Sequence, residues 1–170
     1  MKVLGKVIIL SIITIILVSC SASFIPKDFN VPIRLETDTF ILRPIKVSDA
    51  QMDYVAVMES IEIIHNSLLS EEWPPSDFTL IENREQIKVK EKRFKKKQSF
   101  TFTVLDKSEN NIIGCVYIYK GRYGPDAAVF MWVRHSEFQN GLDPILEDSI
   151  RNWIEKEWPF EWVVFPGRDR

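Results

Sequence analysis

The sequence predicts an α/β domain, a mixed, mostly antiparallel sheet with helices on both faces. Three observations carry that expectation. Residues 99–105, 112–119 and 127–133 are alternating or wholly apolar and follow one another across short polar turns, as antiparallel neighbours do. Segments with helical capping signals stand before and after that run. The chain has 170 residues, 45% hydrophobic and 12% aromatic, enough for one core and not comfortably for two.

In chain order, residues 1–6 carry Lys2 and Lys6 and no acid, and residues 7–18, VIILSIITIILV, hold no charge. As a helix the second segment would span about 18 Å, short of the roughly 30 Å hydrocarbon core of a bilayer. The profile is that of an export signal rather than a membrane span. It closes on Leu17-Val18-Ser19-Cys20, which resembles the lipobox of bacterial lipoproteins. The resemblance implies cleavage before Cys20 and a diacylglyceryl thioether on its sulfur. Each buried CH₂ of such a lipid would contribute about 0.8 kcal/mol of anchoring. The expected organisation is a signal peptide at 1–19, a lipidated Cys20 with a tether to residue 32, and one domain over 33–170. That domain would sit at the cell envelope, outside the cytoplasm, held to a membrane through Cys20. An ordinary secretory signal with a chance cysteine, or a short uncleaved anchor, is the alternative.

Residues 33–44, IRLETDTFILRP, read as strand, turn at Glu36-Thr37-Asp38, and strand. Ser48 with Gln51 has the spacing of a capping box, so a helix is expected to open at Ser48 and to continue in broken form to Leu69. Trp73-Pro74-Pro75 stops it. Thr79 with Glu82 is a second capping box, opening a helix over 80–97. The basic run KVKEKRFKKK at 88–97 is either a face attracted to an anionic membrane or a solvated helix end where lysines suit the dipole. The three strands follow, with Gly114 a candidate bulge and 127–133 expected to be central because it is apolar throughout. Residues 134–142 read as a loop. Asp143-Pro144 then opens a helix, Asp as N-cap and Pro at the first helical position, with Ile145, Leu146, Ile150, Trp153 and Ile154 as its stripe. Pro159 ends it, and 162–165, WVVF, forms a last strand.

This order of elements, together with Leu42-Arg43-Pro44 and Asp49-Ala50 in TFILRPIKVSDA, resembles the GNAT superfamily of N-acetyltransferases over about 35–165. The resemblance implies an acetyl-CoA-dependent acyltransferase acting on an amine, with the coenzyme held by the end of the central strand and the loop after it. On that alignment Trp132, Val133, Gln139, Asn140 and Gly141 would hold acetyl-CoA. The physical basis is that unpaired N–H groups at a helix N-terminus favour an anion. Asp143 as N-cap would instead accept those N–H groups itself and repel a pyrophosphate, which predicts weakened or lost coenzyme binding. The segment after 165 is also shorter than the family's usual ending, so the domain reads as degenerate and C-terminally truncated.

His135 and Glu137, in the loop after the central strand, are the candidate catalytic bases. His65 and Cys115 read as structural residues. No His/Cys cluster has metal-ligand spacing, and a solvated loop explains the local acidic group of Glu71, Glu72 and Asp77, so no metal is expected. The balance of 22 basic and 24 acidic residues gives no electrostatic footprint for nucleic acid. Loss of Lys2 and Lys6 with the leader would leave 20 basic residues against 24 acidic.

Overall fold

The computed structural model describes residues 24–169; the leader and Cys20 lie outside the described residues. Strand β1 (Leu35–Glu36) and strand β2 (Ile41–Pro44) form a hairpin. Its turn, residues 37–40, overlaps the expected 36–38, with Glu36 drawn into β1 by its pairing with Ile41. The Thr37 hydroxyl accepts from the backbone N–H of Phe40 at 3.0 Å, and the Thr37 N–H donates to the Phe40 carbonyl. Strands β3 (Phe100–Leu105), β4 (Ile112–Lys120) and β5 (Ala127–Val133) extend the sheet antiparallel. Strand β6 (Val163–Val164) joins β5 in parallel, giving the order β1-β2-β3-β4-β5-β6. Gly114 sits at an irregularity as expected. The β3–β4 register shifts between Val104 and Leu105, and a Cβ on Gly114 would lie 2.4 Å from the Trp132 carbonyl oxygen.

Period-two alternation divides the sheet between two cores. Phe100, Phe102, Val104, Val116, Ile118 and Met131 face one side and pack with helix α5 (Leu142–Glu157). Cys115, Tyr117 and Trp132 face the other, with Ala56, Val57 and Ile64 of helices α1 (Ala50–Met58) and α2 (Ile61–Leu68). A strand covered on both faces reads as continuously apolar, which explains the run at 127–133. That strand is flanked on both sides only at its start. β6 pairs with Ala127 and Ala128 and then parts from it.

The helices on the second face begin differently from the expectation. A 3-10 turn, Val47–Asp49, precedes α1, and the capping carboxylate is that of Asp49, not the Ser48 hydroxyl. Asp49 Oδ2 accepts from the Lys46 N–H at 2.8 Å, and its two oxygens take the Arg43 fork at 2.7 and 3.0 Å. This pair physically joins the two halves of the Leu-Arg-Pro and Asp-Ala motif. Helix α3 (Leu80–Lys95) has the predicted Thr79–Glu82 capping box and ends two residues before Lys97. Lys97 adopts φ 54°, past the helix end, and its ammonium donates to the carbonyls of Lys27 and Phe29.

On the other side of the sheet two expectations are corrected. Residues 135–139 are not loop but a short helix, α4 (His135–Gln139). Helix α5 starts two residues earlier than expected: its N-cap is Gly141, at φ 80°, and Asp143 and Pro144 lie inside its first turn. Burial of Leu142 against the core draws that residue into the helix. Of the predicted stripe, Leu146, Ile150, Trp153 and Ile154 are buried, whereas Ile145 is exposed. Among the described residues no helix is long and apolar enough to cross a membrane.

Candidate functional site

The parting of β5 from β6 leaves the outer edge of β5 without a strand beyond Ala128. The backbone there carries donors and acceptors that need partners. The chain supplies one from its own tail. Gly167, at φ 80°, turns the backbone after β6, and the Arg168 guanidinium reaches back across the gap. Its Nη2 donates to the Met131 carbonyl at 3.3 Å. The same fork is bidentate to Asp143, at 2.7 and 2.9 Å, and Nη1 also donates to Glu147 at 2.9 Å. Only 11% of the Arg168 side chain is exposed. Burial alone would raise the Glu147 carboxyl; Arg168 and Arg151 outweigh it and hold it below the ordinary carboxylate range.

Asp143 therefore does not cap α5. Among the described residues no side chain caps that helix, whose first turn includes the backbone amides of Leu142 and Asp143. The carboxylate is committed to Arg168 instead. The expected conflict at this position takes another form: an internal cation fills the space beside β5, and the acid neutralises it.

The predicted site residues are dispersed. Trp132 is fully buried on the α1–α2 face, where its indole N–H donates to the Tyr117 hydroxyl at 3.1 Å. Val133 belongs to the core under α5. Glu137 and Asn140 line an open hollow with Arg134, Leu142 and Ile145. His135 and Gln139 are exposed and contact each other, Nε2 to Nε2 at 3.0 Å. The His135 backbone N–H donates to Ser60 Oγ, fixing α4 against the α1–α2 junction. Gly141 provides the left-handed residue before α5. His65 lies against the Pro74 carbonyl at 3.1 Å, and Cys115 is buried with its thiol pushed up to about 12 by burial. Among the described residues no group of His, Cys, Asp or Glu could hold a metal ion.

Sequence reasoning missed Arg168. Its partners lie 25 and 21 residues away, and nothing in the local pattern marks it.

No family model matches the sequence, and no curated protein matches it. Solved structures do. The ribosomal-protein-S5-alanine acetyltransferase from Vibrio fischeri superposes with a TM-score of 0.59 at 23% identity, covering 74% of this chain and 68% of its own. RimL, a ribosomal L7/L12 α-N-protein acetyltransferase in complex with coenzyme A, gives 0.56 at 15%, covering 73% and 66%. A GNAT-family acetyltransferase from Bacillus anthracis gives 0.56 at 14%, covering 74% and 68%. The chain shares a GNAT-like fold with these proteins, and it spans about two thirds of their length.

Proposed function

We propose that the chain is a membrane-anchored lipoprotein whose GNAT-like domain has weakened or lost acetyl-CoA binding and serves as a scaffold at the cell envelope. The observation that carries this reading is Arg168. Its buried fork takes the Met131 carbonyl and two carboxylates at the place where β5 and β6 diverge. A coenzyme entering there would have to break a bidentate charge-assisted pair, the strongest kind of side-chain hydrogen bond. On this reading the Arg168 cluster beside β5 does not suit the coenzyme. The export reading points the same way, because acetyl-CoA is a cytoplasmic metabolite.

The alternative is an active acetyl-CoA-dependent N-acetyltransferase acting on an amine, with His135 or Glu137 as base. One observation favours it: no side chain caps the start of α5, so its dipole is open to an anion. Isothermal titration of the full chain with acetyl-CoA separates the two. The scaffold reading expects no heat up to roughly 1 mM ligand, and a dissociation constant of about 1–10 μM would establish the enzyme reading in its place. For the anchor, Cys20→Ala should abolish labelling by palmitate in the native host. Equal labelling of the variant would remove the lipoprotein from the proposal.

A further inference from the structure

On the opposite side of the sheet from α5, a pocket of about 300 Å³ opens between α2, α3, β4 and β5. Trp73, Tyr117, Tyr119 and Phe130 supply aromatic walls and Leu68 an aliphatic one. The remaining wall comes from α3 and is made of donors. Lys90 places its ammonium 5.1 Å from the Trp73 ring centroid and 5.3 Å from that of Tyr117. It makes no hydrogen bond or ion pair among the described residues. Gln86, one helical turn earlier, accepts the Trp73 indole N–H on Oε1 at 3.1 Å, which leaves its NH₂ group uncommitted. Among the described residues no carboxylate lines the pocket. Buried Asp53 lies close enough for Lys90 to act on it electrostatically, but its carboxylate is bonded to Asn83 at 2.9 Å and does not pair with Lys90.

We propose that this pocket binds a small monocarboxylate with a flat, apolar body, its ring between the aromatic walls and its carboxylate on Lys90 and Gln86. The volume sits at the small end of ligand pockets, about 300–1,000 Å³, and suits one ring with a short chain. The lining has the composition such sites show: mostly apolar, with a few polar groups that fix orientation. Ring faces attract cations, but those of Trp73 and Tyr117 are already taken by Lys90. An ammonium ligand would meet a like charge, and a neutral one would leave the Lys90 charge without an anionic partner. A carboxylate supplies the acceptors that both donors lack. Burial pushes the Tyr119 phenol up to about 12, so it stays protonated and adds no competing negative charge at neutral pH. The proposal does not rest on the state of the coenzyme cleft.

Isothermal titration of the full chain with 3-phenylpropionate, its neutral amide and phenethylamine tests it. The carboxylate is expected to bind with a dissociation constant of about 10–500 μM, and the amide and amine at least about tenfold more weakly. Lys90→Met, which keeps the length and loses the charge, should weaken the carboxylate about tenfold. Lys90→Arg should preserve the order of the three ligands, and Leu68→Trp, which fills the pocket, should abolish binding. Equal affinity for all three ligands, an undiminished Lys90→Met, or no heat from the carboxylate at about 5 mM would each overturn the proposal. If circular dichroism shows that Lys90→Met does not fold, the ligand series on the unaltered chain decides alone.

Discussion

Arg168 and Arg43 make the same chemical contact, a guanidinium fork on an aspartate, yet only one of them was legible. Arg43 and its partner Asp49 are six positions apart, inside one motif, and a local pattern signals both. Arg168 finds Asp143, Glu147 and Met131 only because α5 and the tail converge on β5, and that is a tertiary fact. Its removal should be felt in stability. Arg168→Ala leaves the half-buried Asp143 carboxylate without its cation and Glu147 with Arg151 alone, and unfolding in urea is expected to show a loss of about 2–3 kcal/mol. Asp143→Ala in the same chain should restore part of that loss, so the double variant falls short of the sum of the singles by about 1 kcal/mol or more. Strict additivity would mean that the two groups do not interact in solution. The pair also has a pH signature through Glu147. Its folded pKa lies below the ordinary value, so its contribution is present above the unfolded pKa and fades as pH falls through the folded one. The cost of Arg168→Ala should accordingly shrink in acid.

The elements with strong periodicity or an explicit cap were readable, and those set by tertiary burial were not. Thr79 and Glu82 exchange hydrogen bonds in the predicted manner, the Glu82 N–H to Thr79 Oγ1 at 3.2 Å and the Thr79 N–H to Glu82 Oε2 at 2.8 Å. The Thr79 hydroxyl, donating to Glu82 Oε2 at 2.7 Å, and then the Thr79 N–H hold the Glu82 carboxyl below the ordinary carboxylate range. Thr79→Ala should cost about 1 kcal/mol by thermal or urea unfolding, and a change within about 0.2 kcal/mol would show that packing rather than the cap starts α3. Helix α4 gave no signal because it has no apolar stripe: none of its residues is buried, and Phe138 is 49% exposed. The start of α5 was misplaced for a related reason. Asp-Pro is an ordinary helix opening, but the demand to bury Leu142 moved the cap back to Gly141, whose left-handed conformation costs a glycine little. Of the candidate site, the pattern located the strand end and the following segment. It could not show that Trp132 points to the far face, since one misjudged register position inverts every side chain.

At the scale of the whole molecule the two faces of the sheet are unlike. The α5 face is a solid aromatic and aliphatic core, with Phe102, Trp153 and Trp158 meeting edge to face. The α1–α3 face buries polar groups, among them Asp53, Asn83 and the Tyr117 hydroxyl, and carries the aromatic pocket. Asp53 is 3% exposed. Burial drives its pKa up, with Asp49 adding to the effect, and the Lys90 charge and the Asn83 amide only partly counter it. A carboxyl with a raised folded pKa contributes stability below its unfolded value and loses that contribution as pH rises through the folded one. The protein therefore carries opposing dependences: Glu147 weakens the fold toward acid, and Asp53 weakens it toward neutral pH. Asp53→Asn isolates the second. It keeps an acceptor for Asn83 and supplies a donor near Asn83 Oδ1, which has no partner. The variant should melt higher than the parent at pH 7.5, by a free energy on the order of 1 kcal/mol, and should lose that advantage near pH 3.5. A melting temperature lowered at pH 7.5 would mean that the ionised carboxylate, through Lys90, supports this face of the sheet rather than straining it.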